Sequence, residues 1–162
     1  MANEKNTVAI VKPATMSKAE FKKLAVAAAR LADDKKAEDI IVLDISAEST
    51  LCDFVVIATA DSQPQINAIE DEIEKSFKAK GIYKTHLDGS DSVAWRVLDY
   101  GGVLIHAMTA SIRDFYSLDK VFHFGTKVRW AKAAPKKAPA KAAKTAKPAA
   151  KKPAVKKTAK KA

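Results

Sequence analysis

Apolar positions in this chain change period several times, and each change marks an element. Ser17-Lys18-Ala19-Glu20 reads as a capping box, after which Phe21, Leu24, Ala28 and Leu31 recur at helical spacing. The charges from Asp33 to Lys36 close that helix. Residues 39–45 (DIIVLDI) and 53–59 (DFVVIAT) are short, nearly continuous apolar runs, as buried strands are. Only Ser46 to Cys52 separate them, which fits an antiparallel pair because a parallel crossover takes about a dozen residues or more. A polar break at 60–65 offers Asp61 or Ser62 as N-cap. The helix that follows lines up Ile66, Ile69, Ile73 and Phe77. Glu70, Asp71, Glu72 and Glu74 form a solvated flank, Lys75, Lys78 and Lys80 suit the C-terminal dipole, and Gly81 is the natural C′ residue. Ile82 to Leu87 reads as a third strand, so 54–87 is strand–helix–strand. Asp88-Gly-Ser-Asp91 is a turn.

The richest pattern lies at 93–108, VAWRVLDYGGVLIHAM. Two apolar runs joined by Gly101-Gly102 predict a two-residue hairpin, since glycine tolerates the positive φ such turns demand. Closing on that pair sets Tyr100 opposite Val103, Leu98 opposite Ile105 and Arg96 opposite Ala107. The other face then carries Trp95, Val97 and Asp99 near Met108, His106 and Leu104. The first face reads as core. The second mixes an indole, a carboxylate and an imidazole among aliphatics, which is the composition of a sheet surface that docks onto something. Ser111 to Lys120 reads as one short helix or two fragments, and Val121 to Trp130 tapers away. These elements predict an α/β (α+β) domain: a mixed sheet of about five strands with two main helices on one face and the other face available. The expected organisation is a flexible extension at 1–16, in which TVAIV fits a short edge strand, a domain at 17–127 and a disordered tail at 128–162.

Charge changes the picture because it is unevenly spread. The net charge is +10, yet residues 131–162 hold 12 lysines and no acid. The remaining 17 basic residues face all 19 acidic ones in residues 1–130, leaving the body slightly acidic. The tail is otherwise Ala, Pro, Thr and one Val, so it cannot bury enough apolar surface to offset its ordering entropy. It is expected to be a disordered polycation reaching at most roughly 110 Å. Lys136, Lys137, Lys141, Lys144, Lys151, Lys152, Lys156 and Lys157 are its candidate nucleic-acid contacts. Six engaged lysines would give a log–log salt slope near about −5, without sequence specificity.

Other chemistries find little support. His86, His106 and His123 are scattered and Cys52 is the single cysteine, so no zinc spacing exists and no metal or cofactor is expected. Cys52 borders an apolar strand and reads as packed. No P-loop or GxGxxG is present, and no catalytic residues are assigned. The lone cysteine fits a reducing compartment. With neither a signal-peptide core nor an apolar run of about 18 residues, the expectation is a cytoplasmic protein without a membrane partner.

DIIVLDIS, CDFVVIATADSQPQINAIEDEIE, WRVLDYGGVLIHAM and IRDFYSLDKVF, in this order, resemble the Iojap/ribosomal silencing factor RsfS family over roughly residues 18–124. The strongest signature is W-x-x-L-D-Y-G followed by an apolar strand with a central histidine. The chain departs from it at Thr59-Ala60, Gly102 and Phe122, where the family usually has Ser-Gly, Asp and Trp. The resemblance implies a nucleotidyltransferase-like fold without catalytic residues. It also implies a silencing factor that binds a ribosomal protein on the intersubunit face of the large ribosomal subunit. There it would sterically block subunit joining and so repress translation. The site residues it implies are Trp95, Leu98, Asp99, Tyr100 and His106, with Arg113 and Tyr116. A homodimer is compatible with the family, and contact of the tail with ribosomal RNA is a further expectation. The alternatives are a nucleic-acid-binding protein driven by its tail and a nucleotidyltransferase-like enzyme.

Overall fold

A computed structural model describes residues 15–131. The expectations for TVAIV and for the tail lysines fall outside that range.

Ser17 caps the first helix, α1 (Lys18–Asp34), and its capping box with Glu20 is closed in both directions. Alanines at 25, 28, 29 and 32 let α1 lie close against the sheet beside Phe21 and Leu24. Strands β1 (Glu38–Asp44) and β2 (Phe54–Ala60) follow and pair antiparallel. Asp39 sits at φ 46 where the register of β1 shifts, a bulge that redirects its carbonyl. Every residue of β2 is buried, because β2 is covered on both faces. Helix α2 (Gln63–Lys78) starts after Ser62 and buries Ile66, Ile69, Ile73 and Phe77. It ends in a Schellman arrangement: Gly81 takes φ 74, its N–H bonds the Lys78 carbonyl, and Ile82 N–H bonds Phe77.

The third strand, β3 (His86–Asp88), is shorter than the predicted 82–87. It does not lie beside β2 either. Strands β4 (Trp95–Asp99) and β5 (Val103–Thr109) fill the space between, giving the order β3-β4-β5-β2-β1-β6. Among the described strands, only β2 and β5 are parallel neighbours. The sixth strand, β6 (Thr126–Lys127), pairs with the outer edge of β1. Between β5 and β6 lie α3 (Ala110–Tyr116) and α4 (Leu118–Val121), two fragments broken at Ser117, whose φ is 48.

The two main helices share one face of the sheet, as expected, and enclose the larger core with Phe54, Val56, Leu98, Tyr100, Val103 and Ile105. The opposite face is not bare. Leu43, Ile45, Val55, Ile57, Met108 and Leu118 form a second cluster, with Ile112, Phe122 and Phe124 packed against it from the C-terminal segment. Ordered packing also runs past residue 127. Val128 N–H bonds the Val42 carbonyl, Trp130 Nε1 donates to the Ile40 carbonyl at 3.1 Å, and both side chains pack on the larger core. Met16 packs there too.

Candidate docking site

The 95–108 hairpin has the predicted register: Trp95 opposite Met108, Arg96 opposite Ala107, Val97 opposite His106, Leu98 opposite Ile105 and Asp99 opposite Leu104. Gly101 takes φ 81, while Gly102 does not take a positive φ. Gly102 is demanded by packing instead, since a Cβ there would run into the Phe21 ring. Asp99 Oδ1 accepts from Gly101 N–H at 2.7 Å and so locks the turn. At the other end, Ser92 Oγ accepts from the amides of Ala94 and Trp95. A Cβ at Gly89 would collide with the Trp95 carbonyl. The turn at 88–92 therefore exists to bring the chain tightly into β4 at the tryptophan.

The two faces of this hairpin have different chemistry. Leu98 and Tyr100 lie wholly buried beneath the helices, with Tyr100 edge-on to Phe77 at 4.9 Å. They shape the site from below and are not surface groups. Burial, reinforced by the charges of Glu74 and Glu70, pushes the Tyr100 phenol well above the usual tyrosine range. Arg96, on the same face, is held by Glu70 at 2.6 Å and Asn67 at 3.0 Å, tying β4 to α2.

The other face carries aromatic rings in sequence. Trp95 Nε1 donates to His106 Nδ1 at 3.3 Å. The Trp95 ring lies 4.9 Å from Tyr116, and Tyr116 lies 5.0 Å from Phe115, edge to face. Phe115 is 80 % exposed, and Tyr116, Val93 and Val121 are also exposed. The site residues expected from the sequence do not include Phe115, Val93 or Val121. A signal existed in the Phe115-Tyr116 pair, because Phe115 lies off the helical stripe of Ile112, Arg113 and Tyr116 and so faces solvent on so short a helix. His106 is 7 % exposed, and burial pushes its pKa down to about 4. It is therefore neutral at ordinary pH.

Arg113 belongs to a different arrangement. It is buried, bonds Asp119 in a fork at 2.9 and 3.0 Å, and donates to the Asp39 carbonyl at 2.6 Å and to Thr59 Oγ1 at 2.8 Å. The guanidinium bond holds the Asp119 carboxyl below the usual carboxylate range. Arg113 thus anchors α3 and α4 to the bulge of β1 and the end of β2, and places Tyr116 and Phe115 from beneath. Of the residues expected at the site, the structure brings Trp95, His106 and Tyr116 together. Asp99 is at the hairpin turn, and Arg113 is underneath.

Among the described residues, no three His, Cys, Asp or Glu side chains are placed to hold a metal ion, and no helix is long and apolar enough to cross a membrane. Cys52 is buried and its thiol is pushed up to about 11, chiefly by burial, so it is a poor nucleophile where it stands.

The family model described as "Ribosomal silencing factor during starvation" matches residues 18–161. The chain belongs to this family. Ribosomal silencing factor RsfS of Halalkalibacterium halodurans is 35 % identical over 107 residues, covering 66 % of this chain and 89 % of that protein. The protein of the same name from Chromobacterium violaceum is 32 % identical over 117 residues, covering 72 % and 93 %. The chloroplastic protein Iojap of Arabidopsis thaliana is 37 % identical over 110 residues, 64 % of this chain and 43 % of that protein. A crystal structure from Chromobacterium violaceum superposes with a TM-score of 0.60 at 32 % identity, covering 75 % of this chain and 98 % of the other. One from Bacillus halodurans gives 0.57, again at 32 % identity, covering 68 % and 98 %. The silencing-factor family thus accounts for both the segment order and the fold.

Proposed function

We propose that this silencing-factor chain binds the large ribosomal subunit through a ribosomal protein on the intersubunit face, and represses translation by occupying space that the small subunit needs. The observation that carries this reading is the Trp95–Tyr116–Phe115 series, which is apolar, outward-facing and supported from beneath by buried residues. Exposed aromatics on a rigid support lose little side-chain entropy when buried by a partner, and residues of this kind dominate protein interfaces. No chemistry is required of the chain, so it acts as a steric block and not as an enzyme. The reading places it in the cytoplasm with translating ribosomes.

The lysine-rich tail supplies a second, weaker element. Just before it, the Trp130 carbonyl accepts from Arg30 Nε at 3.1 Å, which ties the last described residues to α1. Lys136, Lys137, Lys141, Lys144, Lys151, Lys152, Lys156 and Lys157 would engage ribosomal RNA phosphates and raise the effective concentration of the domain at its site.

Sedimentation with purified large subunits tests both elements. Residues 1–131 should pellet with large subunits at near-physiological salt and prevent small subunits from joining. If only the full chain pellets, and does so equally with any RNA, the tail alone carries binding and the docking reading is wrong.

A further inference from the structure

His106 is an expensive residue to keep where it is. The residue is only 7 % exposed and sits in the middle of β5. Because Nδ1 accepts the Trp95 indole N–H, the proton of the neutral ring resides on Nε2. Among the described residues, Nε2 has no hydrogen-bond partner. A buried donor without an acceptor, on an imidazole that has lost its hydration, works against folding. A leucine of similar size would suit the surrounding cluster of Met108, Leu104 and Ile57 better. The imidazole has one asset that a leucine lacks, the acceptor at Nδ1.

That acceptor acts on the most consequential side chain nearby. Trp95 and His106 are diagonal neighbours across the β4–β5 ladder, with ring centroids 6.0 Å apart. The indole is only partly buried, so without an acceptor beneath it its N–H would turn to water. Tyr116 packs at a tilt against the indole as it now stands, and Phe115 meets Tyr116 edge to face. Phe122 packs beside the imidazole, 6.3 Å between centroids, and confines it from the other side.

We propose that His106 is a positioning residue, whose Nδ1 fixes the Trp95 indole and thereby holds the Tyr116–Phe115 surface ready for its partner at a cost to stability. The inference rests on the docking reading above. It assigns His106 no contact of its own with the partner. It also predicts an unusual split, in which removing the acceptor leaves the fold as stable or more stable while docking weakens.

The test compares His106→Leu, which keeps apolar bulk, with His106→Asn, whose amide oxygen can stand near the position of Nδ1. All variants are made in the full chain. The first readout is the pair of indole N–H signals in a proton–nitrogen NMR spectrum. Trp130 donates to Ile40 and serves as the internal control. In His106→Leu the Trp95 signal should move and exchange with water at least about tenfold faster, while Trp130 stays in place. In His106→Asn the Trp95 signal should return toward its original position. The second readout is affinity for purified large subunits, expected to fall about tenfold or more in His106→Leu and to recover within about threefold in His106→Asn, with no loss of urea midpoint in His106→Leu. An unmoved Trp95 signal overturns the inference whatever happens to docking. So does a moved signal with unchanged affinity, if Trp95→Ala itself weakens binding. If Trp95→Ala leaves affinity unchanged, the docking reading fails first and the inference with it.

Discussion

The two faces of the central hairpin are built from the same two strands and follow opposite rules. On the helix side, Leu98, Tyr100, Ile105 and Ala107 are fully buried, and the charged Arg96 is matched by Glu70 and Asn67. On the other side, Trp95 is half-buried, His106 leaves a donor unpaired, and Phe115 stands in water. Alternation along a strand makes this contrast possible, because neighbouring residues answer to different environments. The lesson is that stability and recognition are separated within a single supersecondary unit. One face supplies the rigidity that the other exploits.

Substitutions should therefore sort by face. The largest effect is expected from Phe54→Ala, which removes a fully buried ring from the larger core. It should cost about 3–5 kcal/mol in urea unfolding. The fraction that remains folded should bind large subunits with unchanged affinity, and a loss of affinity per folded molecule would blur the division between the faces.

The next effect is on pH. His106 has a folded pKa of about 4 against an ordinary 6.5, so the unfolded chain binds more protons between those values. The fold is then most stable, as far as His106 decides it, above pH about 6.5, and loses stability as the pH falls toward 4. At the limit the loss is about 3 kcal/mol. Urea midpoints measured from pH 7 to 4 should fall more steeply for the original chain than for His106→Leu. Parallel curves would mean that the imidazole is not held neutral.

A smaller effect, but the sharpest contrast, is expected from Phe115→Ala. Because the ring is exposed, stability should change by no more than about 0.5 kcal/mol. Affinity for large subunits should nevertheless fall by about 2 kcal/mol, roughly thirtyfold. Equal affinity would remove Phe115 from the docking surface. The smallest effect on the body is expected from deleting residues 132–162. Unfolding should be unchanged, and the salt dependence of binding should lose a log–log slope of about 5 if six lysines engage.

Much of this division was legible in the residues, and what was not had physical reasons. The hairpin register followed from strand alternation and one glycine pair. The helix stripes followed from the spacing of Phe21 and Leu24, and of Ile66, Ile69 and Ile73. The position of β3 was not legible, because a strand–helix–strand connection does not say how many strands will later be inserted beside it. The cover on the second face was missed because 110–124 forms fragments too short to show a period. The need for glycine at 102 is not visible locally, because no local pattern reveals the Phe21 ring pressed against it. At the site, Trp95 and His106 were placed on one face by alternation alone. That Leu98 and Tyr100 lie beneath it follows from the same alternation. The outward course of Phe115, by contrast, depends on how α3 is anchored by Arg113 to residues more than fifty positions away.

Hydrogen exchange of the full chain, free and bound to purified large subunits, would show directly which face meets the ribosome. Binding should protect amides at 93–97 and 111–122, while the outer surfaces of α1 and α2 exchange as in the free protein. Protection of those helices with 93–97 and 111–122 unchanged would place the partner on the opposite face and contradict the Trp95–Tyr116–Phe115 docking surface.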